Sequence, residues 1–222
     1  MISCLTLTFQ RHHILEECIE SFLRQDFLGP SEMVIINDSP NVKYVYNHPK
    51  IRIINCDYRF SSIGKKLEYG LKLCRGEVSY RIDDDDLLVW DALSRVQSWI
   101  DKTPGMDVYR SSRFYWFNDN KYIEKRDGIN TGNVLSKEYI NRLVFPDKNA
   151  DEDLDVVFGP NVKMLTVHEP PTMIYRWGGG TTHISTQLHL PNEDRLKFIP
   201  EPESGIIELK PHFDNDYYTQ II

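Results

Sequence analysis

Four consecutive aspartates, Asp83 to Asp86, follow the apolar stretch Val78 to Ile82. Four like charges side by side repel one another unless a cation neutralises them. In an extended segment, carboxylates two residues apart project alike, so Asp83 and Asp85 are expected to point into one site. Their hard oxygens suit Mg2+ or Mn2+, shared with phosphate oxygens of a substrate. The plain alternative is a solvated acidic turn, and the place of the run directly after a buried strand favours the metal. An EF-hand is excluded, because neither the loop glycine nor the closing glutamate is present. A second acidic stretch, Asp151-Glu152-Asp153-Leu154-Asp155, opens a predicted helix. There the helix dipole keeps carboxylates ionised, as a general base requires, although acidic helix starts are also common without chemistry.

Softer candidates surround these two. Arg176 to His183 is a glycine-rich loop without the G-x-G-x-x-G spacing or the P-loop lysine, so it is no dinucleotide or Walker motif. His12, His13, His48, His168, His189 and His212 show no metal-ligand spacing. Lys65 and Lys66 open a helix and could face a diphosphate, but lysines there are commonly surface residues. Between Tyr109 and Arg126, aromatics alternate with basic residues. Such a surface could stack a sugar or an extruded base, although alternation also buries one face of any hairpin.

The elements that must position these residues follow a strand–helix rhythm. Residues 2–9, 33–36, 51–56 and 78–82 pattern as strands; 13–25, 63–74 and 90–100 pattern as helices. That alternation predicts an α/β fold with a mostly parallel sheet covered on both faces, with ligands bound beyond the carboxyl ends of the strands. The second half predicts a hairpin over 106–126, short helices over 136–143 and 151–158, and strands over 163–167 and 172–177. Residues 191–220 predict an extended arm on the domain surface.

Composition narrows the class. Of 222 residues, 41% are apolar and 27% charged, and the formal net charge is −7. That is a globular balance, and it argues against a protein coated for nonspecific nucleic-acid binding. No apolar run approaches a membrane span, and the first residues lack signal-peptide character, so a cytoplasmic protein is expected. Cys4, Cys18, Cys56 and Cys74 form no C-x-x-C pair and are expected to be reduced, three of them in apolar, regularly patterned segments.

Several motifs, in order, resemble family 2 glycosyltransferases. Thr8-Phe9-Gln10-Arg11 is similar to their Thr-Tyr-Asn-Arg, and the helix carrying Cys-Ile-Glu-Ser-Phe-Leu-Arg-Gln to the one that follows it. Val34-Ile-Ile-Asn-Asp38-Ser resembles their second strand and its Asp-Asp-Gly-Ser turn, with Asn37 in place of the first Asp and Pro40 after the Ser. Gly64-Lys65 and Gly76-Glu77 lead to an aspartate run similar to their Asp-X-Asp, and Asp151 to Asp155 resembles their Glu-Asp motif.

The resemblance covers about residues 1–180. It implies a GT-A fold: a Rossmann-like central sheet with helices on both faces and a smaller mixed region on the acceptor side. It divides the chain into a nucleotide-sugar half (1–105), an acceptor and catalytic half (106–190) and a C-terminal extension (191–222). It implies a donor, UDP-linked in most members, held by Thr8, Phe9, Arg11, Asp38, Lys65, Asp83, Asp84 and Arg176. Asp85, Asp83 and His183 are implied as ligands of Mn2+ or Mg2+, and Asp153 as the base, with Glu152 beside it. A base opposite the leaving diphosphate implies single displacement with inversion. The acceptor stays open between a glycan, a lipid-linked sugar, a protein side chain and a hydroxymethylated DNA base.

Two rivals fit part of the pattern. A nucleotidyltransferase needs a basic glycine-rich loop after the first strand, which Thr8 to Arg11 does not supply. A catalytically silent nucleotide- or sugar-binding protein is distinguished by releasing no UDP from a donor when Mn2+ is added.

Overall fold

The computed structural model describes residues 1–118, 121–126, 132–149, 156–159, 161–176 and 203–218. In chain order the first elements are β1 (Ile2–Thr8), α1 (His12–Leu23), β2 (Ser31–Asn37), β3 (Val42–Val45), β4 (Ile51–Asn55), α2 (Ile63–Leu73) and β5 (Val78–Arg81). There follow β6 (Leu87–Leu88), α3 (Ala92–Lys102), β7 (Val108–Ser111), β8 (Arg113–Asn118) and β9 (Lys121–Arg126). The last are β10 (Val134–Ser136), α4 (Lys137–Arg142), β11 (Met164–Val167), β12 (Met173–Arg176) and β13 (Gly205–Glu208).

Every residue of β1 is buried, as expected of a strand covered on both faces. It lies in the middle of a seven-stranded sheet of order β11-β7-β10-β5-β1-β2-β4. The pairs β1–β2, β1–β5, β2–β4 and β7–β11 are parallel, while β10 runs antiparallel between β5 and β7. Period-two alternation divides the core in two. Ile2, Cys4, Met33 and Ile35 pack with Leu15, Cys18, Ile19 and Phe22 of α1 and with Leu93, Val96 and Trp99 of α3. Leu5, Leu7, Val34 and Ile36 pack with Leu67 and Leu71 of α2 and with Tyr139 and Ile140 of α4. The predicted two-faced α/β sheet is present, and all four cysteines are buried and free.

A four-stranded sheet of order β6-β12-β8-β9 carries the aromatic hairpin, whose register pairs Arg113 with Arg126. Phe114 is buried in the main core, Trp116 and Tyr175 pack against it, and Tyr115 and Phe117 pack around Leu87, Ile174 and Tyr217. The aromatics in β8 therefore serve packing, the plainer of the two expectations. Residues 203–218 return over α1, and β13 pairs in parallel with β3. No helix among the described residues is long and apolar enough to cross a membrane.

Candidate active site

Because β5, β1 and β2 are adjacent and parallel, their carboxyl ends deliver Asp83–Asp86, Thr8–Arg11 and Asp38 to one edge of the sheet. The aspartate run is a turn rather than an extended segment, closed by the Asp86 N–H donating to the Asp83 carbonyl at 3.1 Å. This bend changes which carboxylates share a face. One oxygen each from Asp83, Asp85 and Asp86 lies within 4.8 Å of the others. Asp86 was not among the expected ligands. Its Oδ1 accepts from the Arg176 N–H at 3.2 Å, whereas Oδ2 is buried with no hydrogen-bond partner among the described residues. Burial, and then the charges of Asp85 and Asp83, push the Asp86 carboxyl well above the usual carboxylate range. Three converging oxygen donors with an unsatisfied buried oxygen fit a hard divalent cation.

Asp84, expected to contact the donor, instead turns inward. It is fully buried and receives both Nε (3.1 Å) and Nη2 of Arg11, while Arg11 Nη1 reaches Asp85 Oδ2 at 3.1 Å. Burial pushes the Asp84 carboxyl up to about 6 even though Arg11 opposes it. Arg11, also expected at the donor, thus spans two aspartates of the run and offsets their repulsion. The turn sets Asp84 apart from the cluster of Asp83, Asp85 and Asp86 and leaves its carboxylate to Arg11.

A second cluster surrounds Asp38, which is 2% exposed. Its Oδ1 accepts from Lys66 Nζ at 2.5 Å and from Arg59 Nη1 at 2.8 Å, and Oδ2 from the Phe60 N–H at 3.2 Å. Lys66 Nζ also donates to the Thr8 carbonyl at 2.6 Å. The Arg59 guanidinium lies 3.5 Å above the Phe9 ring. Burial pulls the Lys66 ammonium below its ordinary value, with Asp38 opposing. The cluster therefore joins Thr8, Phe9 and Asp38 as expected, but the lysine is Lys66. Lys65 points outward and pairs with Glu68 at 3.1 Å on the surface of α2. A signal was present: Lys66 falls on the stripe of Leu67 and Gly70 that faces the sheet, where a charge needs a partner.

Asn37 also finds its reason here. Its amide donates to the Val42 carbonyl (3.0 Å) and to Asn55 Oδ1 (2.9 Å), and its Oδ1 accepts from the Ser39 N–H (3.1 Å). A carboxylate cannot make those two donations.

Arg176 lies beneath the aspartate turn. Expected at the diphosphate, it is 5% exposed, and its guanidinium is committed to Glu17 of α1, to the Asp85 carbonyl and to the Ile14 carbonyl at 3.3 Å. The reason is its position on β12, which is paired on both sides and turns the side chain toward α1 beneath the aspartate turn. Residues 203–218 complete this network: Tyr217 Oη donates to Glu17 Oε2 at 3.1 Å, and the Asp214 N–H to Glu17 Oε1 at 3.0 Å. Arg176 is thus a positioning residue, holding Asp85 and Asp86 through backbone contacts. Glu17 and Tyr217 had no signal in the sequence, since their partners lie far away along the chain. The expected base Asp153, its neighbour Glu152 and the expected ligand His183 lie outside the described residues.

The Asp38 cluster gives a first test. Asp38→Asn keeps the shape but removes the charge facing two cations. It is expected to cost about 1.5–3 kcal/mol, the worth of hydrogen bonds to a charged group, read as a lower urea midpoint. Adding Lys66→Met should recover most of that loss, because no buried charge is then left alone. A double variant no more stable than Asp38→Asn contradicts the dependence of Lys66 on Asp38.

The profile of glycosyl transferase family 2 matches residues 3–159. Among solved structures, this chain is similar to a crystal structure of S. aureus TarS 1-349, with a TM-score of 0.61 and 16% identity over 79% of this chain and 60% of that one. The same protein in complex with UDP-GlcNAc gives a TM-score of 0.64 and 16% identity over 89% and 64%. The mannosyltransferase PcManGT from Pyrobaculum calidifontis, in complex with GDP-Man and Mn2+, gives 0.56 and 15% over 79% and 56%. The chain thus spans about three fifths of the length of these structures. No curated protein matches it.

Proposed function

The chain belongs to glycosyl transferase family 2 and has its GT-A fold, and from this premise we propose that it transfers a sugar, with inversion, from a UDP-sugar to an acceptor hydroxyl in a reaction that requires Mn2+ or Mg2+. The observation that carries this reading is the convergence of Asp83, Asp85 and Asp86 on the same sheet edge as the Asp38 cluster. UDP-GlcNAc in TarS and GDP-Man with Mn2+ in PcManGT support a nucleotide-sugar donor and a divalent cation.

Asp83, Asp85 and Asp86 would hold the cation, which when bound would offset the charge of the departing diphosphate. Phe9 and Asp38 receive the nucleobase, its ring stacking on Phe9 and its imide N–H donating to Asp38. Arg59 covers Phe9 and pairs with Asp38, so entry of the base requires its half-exposed side chain to move. Arg11 and Arg176 keep the aspartates in place. Asp153 takes the proton from the acceptor hydroxyl on the face opposite the diphosphate, and one displacement there inverts the anomeric centre. Glu152 orients the acceptor. The acceptor class we favour is a glycan or a hydroxymethylated DNA base.

Calorimetry with UDP and GDP, each with and without Mn2+, tests the donor half of this reading. UDP is expected to bind more tightly than GDP and to depend on Mn2+. Equal, Mn2+-independent binding of both contradicts it. Asp153→Asn tests the catalytic half: donor affinity should stay near wild type while transfer falls about 10²-fold, the scale for loss of a general base. Transfer at the wild-type rate assigns the base elsewhere.

A further inference from the structure

The first two residues of α1 are His12 and His13, adjacent in sequence, and the next acids of the helix do not complete the pair as a third ligand: Glu16 accepts from the Lys210 N–H at 2.6 Å and Glu17 from the Asp214 N–H at 3.0 Å. The tertiary structure supplies one. Residues 203–218 bring Glu203 to the start of α1, where it accepts from the His12 backbone N–H at 3.0 Å and lies 2.6 Å from His12 Nδ1. One ligand atom from each of His12, His13 and Glu203 lies within 4.8 Å of the other two. The two imidazoles meet edge to face with centroids 5.7 Å apart.

That ring separation is close to the one two histidines on one ion require. A metal–nitrogen bond of about 2.0–2.1 Å puts each ring centre about 3 Å from the ion, and a tetrahedral angle then separates the centres by about 5 Å. The carboxylate is also supported as a ligand should be. Its Oε2 accepts from the hydroxyl of Tyr44, a side chain only 1% exposed, which fixes its orientation.

We propose that His12, His13 and Glu203 form a binding site for one transition-metal ion, of which Zn2+ matches the donor set best, clipping the C-terminal segment to the start of α1. Two imidazole nitrogens and one carboxylate oxygen are a borderline donor set that suits Zn2+, leaving a fourth position for water. The aspartate cluster offers oxygen alone and suits harder cations, so the two sites differ in chemistry. The ion replaces the proton between His12 Nδ1 and Glu203 and releases it to solvent. The consequence is mechanical. The segment held by Glu203 also carries Tyr217, which braces Glu17 and Arg176 behind Asp85. The proposal does not depend on the transferase reading.

The test is titration of the full-length, chelator-treated chain with Zn2+ alone, followed by calorimetry and by limited proteolysis of the C-terminal segment. We expect one equivalent bound by wild type and retained by Asp85→Asn. His13→Ala and Glu203→Gln should each weaken binding at least about tenfold. His13 is exposed, so its removal leaves the fold intact, and circular dichroism of both variants checks this. Zn2+ should slow proteolysis within residues 203–218 in wild type and in neither variant. Absence of a bound equivalent in wild type overturns the proposal. So does binding that survives His13→Ala unchanged, or that disappears only with Asp85→Asn.

Discussion

Asp85→Asn is expected to lower sugar transfer at least about 10³-fold while leaving the fold intact. Charge stabilisation of a leaving diphosphate by a bound cation is worth several kcal/mol, and Asp85 is one of the three oxygens placed to hold that cation. The substitution keeps the side chain's volume and leaves a neutral oxygen. It also removes the charge that receives Arg11 Nη1 at 3.1 Å, but Asp84 retains that arginine through two contacts. Mn2+-dependent donor affinity should fall with transfer, because in the proposed reaction the phosphates and the aspartates would share one ion. Donor binding measured in chelator should be little altered. Unchanged Mn2+-dependent affinity contradicts the assignment of this cluster. Asp86→Asn provides the companion test, since its Oδ2 is buried beside the same point.

Arg176→Met carries the largest expected loss of stability. The arginine and Glu17 are both nearly fully buried, and removing one partner leaves the other charge uncompensated at a cost of about 3–5 kcal/mol. For a chain of this length that lowers Tm by about 6–20 °C. Glu17 keeps two donors, Tyr217 and the Asp214 N–H, which place the cost toward the lower end. The double variant Arg176→Met/Glu17→Gln separates stability from positioning. Most of the lost Tm should return, because no charge is stranded. Metal-dependent donor affinity should stay weak, because the Asp85 carbonyl still lacks its guanidinium donor. Recovery of both together shows that Arg176 acts on stability alone.

Much of the scaffold was legible from local pattern. The β-branched run of β1 and the apolar face of α1 declare themselves because burial on a regular backbone repeats every two or every 3.6 residues. The same logic placed the aspartates after β5 and Asp38 after β2, and adjacency of parallel strands brought them together. Short elements escaped. Val134–Ser136 is three residues long, too few for any period, yet it sits between β5 and β7 in the main sheet. Val42–Val45 alternates buried and exposed residues over only four positions, and its partner, β13, lies far along the chain.

Side-chain direction at the site was decided by the tertiary structure. Residue type alone pointed to an aspartate run suited to a cation, but the turn at Asp83–Asp86 brought an Asp86 oxygen beside those of Asp83 and Asp85 and sent Asp84 to Arg11. The charge of two neighbouring lysines was evident; the sheet beneath α2 chose Lys66 to meet Asp38 and left Lys65 to the surface. The sequence offered Arg176 as a charge near the site, and the tertiary structure pairs it with Glu17, 159 positions away. Glu203 meets His12 across 191 positions. Sequence periodicity records which face of an element is buried, since that follows from local backbone geometry. It holds no record of which distant charge will arrive at that face. That choice follows from the order of the strands and the return of the C-terminal segment, where each buried charge must find its counter-charge in space.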